Sequence, residues 1–233
     1  MITIDNYLDS HYIHRSNWLR AAVLGANDGI ISISSLAIGV SAASSTREPI
    51  VLATVAALVA GALSMAAGEY VSVSSQTDTE KTDIERERKE LKEMPIQEQN
   101  ILAQIYEKRG LKKETAMQVA IELTEKDALG THIRDELGIN EISQAKPIQA
   151  ALASGASFTV GGVLPLLIVL FATVKEMEYW LYGFTIIFLI ILGAISAKTG
   201  GSKIKKAMLR ITIWGTIAMG LSALVGYIFG VNV

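Results

Sequence analysis

The sequence predicts an all-α, polytopic membrane protein: five transmembrane helices per subunit, with a small cytosolic helical module between the second and third. Three observations carry this. Five runs of the 233-residue chain are nearly or wholly free of Asp, Glu, Lys and Arg: 21–46, 49–68, 147–174, 179–197 and 211–233. Each is close to the ~20 residues that cross a ~30 Å hydrocarbon core. Segment 76–146 is the opposite, with 16 acidic and 12 basic residues, a density that belongs in water. The connector 198–210 is basic and holds no acid, which fixes an orientation because short basic loops stay in the cytosol.

The elements follow in chain order, as residues 1–75, 76–146 and 147–233. Residues 1–20 are polar, with His11, His14, Arg15 and Arg20, and no cleavable leader is expected because the first apolar run is too long for an h-region. That run serves as its own insertion signal. The second run continues into 76–94 without a breaker, so one helix is expected to leave the bilayer and enter the cytosol. Pro95 ends it, since the residue before a proline is pushed out of the α region. Apolar residues at 101, 102, 105 and 106 mark a helix over 96–109, closed by Gly110. Stretches 112–129 and 131–137 read as two more helices, the last stopped by Gly138. In the third span Gly161, Gly162 and Pro165 predict either a locally loosened helix or a packing kink. With the basic connector in the cytosol, the N-terminus and 76–146 are cytosolic, and after five spans the C-terminus is outside.

Composition excludes several functions. A net charge of −2 without a dense basic patch gives no nucleic-acid footprint. The absence of cysteine removes disulfides and thiolate metal sites. With three histidines and no cysteine, no His-rich or Cys-containing catalytic site can be assembled, so the chain does not read as an enzyme. No phosphate-binding loop of the Gly-x-x-x-x-Gly-Lys-Ser/Thr kind occurs.

Asp28, in Gly25-Ala-Asn-Asp-Gly29, lies about ten residues inside the first span. A carboxylate there costs ~2.5–3.5 kcal/mol on insertion and usually marks an ion or proton path; the alternative is a structural acid bonded to a neighbour such as Asn27. Gly25 and Gly29, four apart, give a smooth face that another helix or an ion can approach. In the second span Met65 and Glu69 sit one turn apart on one face. At 1.5 Å per residue Asp28 and Met65 are each ~15 Å from the cytosolic edge, and Glu69 lies nearer that edge. A thioether favours iron(II) over magnesium or calcium, although methionine is also an ordinary apolar residue in a span. Glu80, Asp83, Glu87 and Glu90 recur at spacings of three and four, so they share a helical face where two can hold one cation. Interleaved Arg86, Arg88, Lys89 and Lys92 allow an ordinary solvated face instead. Glu98 and the pair Asp135-Glu136 follow, and His132, standing alone, reads as a surface residue.

Three stretches then converge on one family. Trp18-Leu-Arg-Ala-Ala-Val-Leu-Gly-Ala-Asn-Asp-Gly29, Ala60-Gly-Ala-Leu-Ser-Met-Ala-Ala-Gly-Glu-Tyr-Val-Ser-Val-Ser-Ser-Gln76 and Asp135-Glu-Leu-Gly138 resemble the vacuolar iron transporters, in the same order and over essentially the whole chain. The resemblance implies a homodimer with five spans per subunit and a cytosolic metal-binding domain between spans two and three. It implies export of iron(II), in some members manganese(II), from the cytosol in exchange for protons, with no prosthetic group. It places translocation at Asp28 and Met65, with Glu69 in the same motif, and cytosolic metal ligands at Glu87, Glu90 and Glu136, with Glu98 on the next helix. Two positions depart from the pattern: a further glutamate expected one turn after Glu98 is Ile101, and a methionine pair expected before the last motif is His132-Ile133.

The expected protein is therefore a secondary iron(II) transporter in a lipid bilayer. The alternative is a membrane-anchored iron buffer or sensor; a pure anchor has no use for an acid at mid-depth, so Asp28 favours transport. The compact length leads to the expectation of a prokaryotic plasma membrane.

Overall fold

A computed structural model describes residues 17–139 and 146–230. His11, His14 and Arg15 and the extreme C-terminus lie outside the described residues. Seven α-helices and no strand are present among the described residues: α1 (Asn17–Ala43), α2 (Arg47–Glu93), α3 (Pro95–Lys108), α4 (Lys113–Asp135), α5 (Pro147–Phe171), α6 (Met177–Thr199) and α7 (Ile204–Gly230), with a 3-10 turn at Val174–Glu176 before α6. Five helical segments are long and apolar enough to cross a membrane: Leu19–Ala43, Arg47–Glu93, Pro147–Phe171, Val174–Thr199 and Ile204–Gly230. The last begins seven residues before the expected 211. Lys205, Lys206 and Arg210 are helical rather than loop, because long cationic side chains reach water from the first turns of a span.

The chain forms two compact units, one of Met1–Val71 with Pro147–Val233, the other Ser72–Lys146. Helix α2, 47 residues long, contributes to both.

In the first unit α1 is the central element, packed on α5, α6 and α7. Its seam with α5 is a backbone-to-backbone contact. A Cβ added at Gly25 would collide with the Ser154 carbonyl, one at Gly29 with the Phe158 carbonyl, and one at Gly161 with the Ala26 carbonyl. Without a hydrophobic driving force between helices in lipid, such close approach of small residues is what holds them together. The smooth face of Gly25 and Gly29 is therefore occupied by α5. Gly161 and Gly162 serve the same seam, and α5 stays helical from Pro147 to Phe171 with Pro165 inside it. Gly29→Ala is expected to destabilise the folded protein by about 1–3 kcal/mol through overpacking. Thermal unfolding in detergent measures it, and an unchanged midpoint would mean that the seam yields.

Exposed positions of the spanning helices carry large apolar side chains, among them Leu52, Val59, Leu63, Ile187, Ile191, Trp214, Leu221 and Phe229. The end of α5 is closed by Arg47, whose guanidinium donates to the Leu170 and Ala172 carbonyls. This meets two of the acceptors a helix leaves open at its C-terminus. Arg47 is thus committed to a cap, and its loop offers no free positive charge.

In the second unit α3 packs on α4 through Leu102, Ala103 and Ala120, flanked by Tyr106 and Met117. Pro95 occupies the first turn of α3, where its missing N–H costs nothing. Gly110, at φ 102°, supplies the left-handed residue after α3. The expected break at Gly130 falls three residues earlier. Asp127 is extended inside α4 (φ −164°, ψ 85°), and its Oδ1 accepts the Gly130 N–H at 3.0 Å. It caps the last turns, because a short acceptor side chain satisfies an N–H that helix geometry leaves open. Those turns end where the Leu137 N–H meets the His132 carbonyl and the Ile139 N–H meets the Ile133 carbonyl at 2.9 Å, around Gly138 at φ 68°.

Candidate metal centre

The second unit gathers the only group of three or more acidic or histidine side chains, among the described residues, whose donor atoms could share one ion. Glu87 from α2, Glu98 from α3, His132 from the capped end of α4 and Glu136 just beyond it bring one donor atom each within 4.8 Å of one another. Three are deeply buried: Glu87 is 1 %, Glu98 3 % and His132 0 % exposed. Burying several carboxylates together is costly unless a cation compensates them.

His132 corrects the sequence reading: it is a fully buried member of the cluster, not a surface residue. Its Nδ1 lies 2.9 Å from both Glu136 Oε2 and Glu87 Oε1. The Glu136 pairing has hydrogen-bond geometry, while Glu87 Oε1 is left buried without a hydrogen-bond partner. One ring nitrogen between two carboxylate oxygens, with one oxygen orphaned, is a donor set that a metal ion would satisfy. The sequence signal was the one-turn spacing of His132 and Glu136, which puts both on one face of a helix.

Glu90 is not in the group. It is half-buried on the next turn, 3.8 Å from Arg86, although its charge reaches Glu87 and Glu98. Asp83 also faces Arg86, at 3.9 Å, and Glu80 accepts from Gln76 at 2.8 Å. Those two behave as a solvated face. Ile101, half-buried, offers no donor.

A clamp beside the cluster holds the end of α4 against α3. Asp135 takes hydrogen bonds from Arg109 Nη1 at 2.7 Å and Tyr106 Oη at 3.0 Å, and the Arg109 guanidinium sits 5.2 Å over the Tyr106 ring. Burial raises the Asp135 pKa, but the hydrogen bonds from Arg109, Tyr106 and Arg134 outweigh it and hold the carboxyl below its ordinary value. Of the Asp135-Glu136 pair, the first residue is structural and the second enters the cluster.

Electrostatics of the cluster are those of carboxylates crowded together and buried. Glu87 is raised above the ordinary glutamate value by burial first, then by Glu136, with His132 opposing. Glu98 is raised for the same reasons. A raised carboxyl keeps a proton at a pH where an exposed glutamate has lost it, and a metal must displace that proton. Metal affinity is therefore expected to fall as pH is lowered from neutral, by up to about tenfold per unit for each proton displaced. Calorimetric titration at several pH values checks this; a flat profile would mean that the carboxyls are already ionised without metal.

The membrane unit places its expected residues separately. On α1, Leu24, Asp28 and Ser32 follow at intervals of four along a stripe left partly open among the described residues: Leu24 is 55 % exposed, Ser32 is exposed and Asp28 is half-buried. The Ser32 hydroxyl donates to Asp28 Oδ1 at 2.5 Å. On α2, Ile50, Thr54 and Leu58 are buried and Met65 and Glu69 half-buried along one stripe. Met65 packs against the cluster of Ile33, Leu58 and Phe158.

Comparison with known proteins then decides the family. A family model described as the VIT family matches residues 19–227. The chain belongs to this family. A vacuolar iron transporter of Acanthamoeba castellanii is 41 % identical over 97 % of this chain and 84 % of its own length. Vacuolar iron transporter homolog 1 of Oryza sativa subsp. japonica is 34 % identical over 95 % of this chain and 78 % of its own. A VIT-like transporter of Glycine max is 32 % identical over 97 % and 84 %. With this membership and five helices able to cross a membrane, this VIT-family chain is an integral membrane protein.

Proposed function

We propose that this VIT-family protein exports iron(II) from the cytosol in exchange for protons, with manganese(II) as a second cargo. The observation that carries the metal assignment is the buried Glu87–Glu98–His132–Glu136 cluster. An imidazole among the carboxylates suits iron(II), the carboxylates also accept manganese(II), and calcium and magnesium favour all-oxygen sets. The relatives named as iron transporters support iron as the cargo.

In this reading the Ser72–Lys146 unit is cytosolic and collects the metal, with Glu90 as an approach group. Iron then passes Glu69 and is held between Asp28 and Met65 before release on the far side. A half-exposed carboxylate on a partly open stripe is expensive in lipid. A second copy of the chain laid against Leu24, Asp28 and Ser32 would cover it, which supports a homodimer with the pathway between subunits. Asp28 carries the argument against a buffer or sensor, since a passive anchor gains nothing from it.

Exchange follows from competition. A divalent cation binds the ionised carboxylate and a proton binds the same oxygens, so a site that alternates between two sides carries one or the other. Liposomes with an acidic lumen, given iron(II) outside and counted for cytosol-side-out molecules, test it. Metal uptake should alkalinise the lumen and slow when the pH gradient is collapsed at clamped voltage. Uptake indifferent to the gradient, with no proton movement, would leave a metal uniporter.

A further inference from the structure

A cavity of about 430 Å³ opens on the membrane unit where the start of α1, the end of α6 and the start of α7 meet, lined by Leu19, Arg20, Val23, Leu24 and Asn27 of α1, Ser196 and Thr199 of α6, Gly200 after it, and Arg210 and Ile211 of α7. That volume is in the range of small-ligand sites. Its wall joins two chemistries. Leu19, Val23, Leu24 and Ile211 are apolar, whereas Arg20 and Arg210 are exposed cations with no carboxylate in ion-pair range among the described residues. No acidic residue lines the cavity among the described residues, so its charge is positive.

The fold places the second arginine. Gly201, at φ 67°, turns the chain between α6 and α7, and the two helices then run so close that a Cβ on Gly193 would lie 3.0 Å from Met208 Cα. This tight hairpin sets Arg210 beside α1, within one cavity wall of Arg20. The same connector exposes Lys198, Lys203, Lys205 and Lys206. A basic pocket between spanning helices at the cytosolic face is the setting in which anionic lipid headgroups are held.

We propose that this cavity binds an anionic phospholipid, its phosphate between Arg20 and Arg210 and the upper part of an acyl chain along Leu19, Val23, Leu24 and Ile211. Arginine is suited to this because its planar fork meets phosphate oxygens two at a time. The lipid would fasten the α6–α7 hairpin to α1, and the cavity shares Leu24 with the Asp28 stripe.

Native mass spectrometry of the full-length protein in detergent tests it, with phosphatidylglycerol, phosphatidylcholine and inorganic phosphate as probes. Phosphatidylglycerol should be retained in preference to phosphatidylcholine, and excess inorganic phosphate should not displace it. Arg20→Gln with Arg210→Gln should lower its retention about tenfold or more, at about fivefold for each charge near the surface. Arg20→Lys with Arg210→Lys should keep most of it, which separates lost charge from lost fold. Equal retention of the two lipids, or unchanged retention in the double Gln variant, would overturn the proposal. Displacement by phosphate would make the cavity a free-anion site. A double Gln variant that alters the oligomeric mass but not lipid retention would assign the cavity to a second copy of the chain. Either result would overturn the lipid assignment.

Discussion

Asp28→Asn is expected to bring iron(II) flux in proteoliposomes down by more than about tenfold while leaving the protein folded. The substitution removes a charge at nearly constant volume and keeps an acceptor for the Ser32 hydroxyl, which now donates at 2.5 Å, so the local helix surface should survive. What it loses is the ionised oxygen that a divalent cation needs. A charged contact is worth about 1.5–3 kcal/mol, so a tenfold loss is the lower bound. Met65→Leu should act more weakly, slowing transport and widening selectivity toward harder cations, because only the soft ligand goes. Its neighbours Ile33, Leu58 and Phe158 can accept leucine with little strain. Flux at the wild-type rate in Asp28→Asn would mean that the pathway runs elsewhere.

His132→Leu and Glu87→Gln are each expected to weaken iron(II) binding to the intact protein by about 100-fold or more, while Glu90→Gln costs less than about tenfold. Partners outside a metal's own ligand shell already cost about 10–100-fold when removed, and a ligand should cost at least that. The asymmetry comes from position: Glu87 and His132 are enclosed in the cluster, whereas Glu90 stands half-buried near Arg86. Leucine at 132 also removes an imidazole from among three carboxylates, so the variant is paired with His132→Gln, which keeps a polar group. Titration of all four variants with iron(II) under anaerobic conditions, with circular dichroism to confirm folding, gives the answer. Equal losses for Glu90→Gln and Glu87→Gln would show that the metal sits on the exposed side of α2 instead.

Much of the architecture was legible from local rules. Charge-poor runs gave the five spans, because lipid admits few ionised groups. Pro95, Gly110 and Gly138 punctuated the second unit where the backbone requires them. The errors came where a local rule met a competing one. The start of α7 was placed at 211 because lysines were counted as loop, yet Lys205 and Lys206 reach water from inside the helix. The break in α4 was assigned to Gly130, while the residue that reorganises the backbone is Asp127, whose carboxylate caps the next turns.

The sequence by itself determined that the chain spans a membrane, that an acid lies inside the first span, and that Glu87 and Glu90 share a helical face; these follow from composition or from spacing along one helix. Glu98 and Glu136 became candidate ligands through the resemblance to the vacuolar iron transporters. What only the tertiary structure decided is which of these residues meet. The kink at Asp127 and the Asp135 clamp to Arg109 and Tyr106 bring the end of α4 back to α3, and so place His132 and Glu136 beside Glu87 and Glu98. That convergence joins residues up to 49 positions apart, from Glu87 to Glu136, and helical periodicity carries no information over such a distance. For the same reason a lone histidine reads as a surface residue until its surroundings are known. Burial is a property of the packed helices, not of the residue.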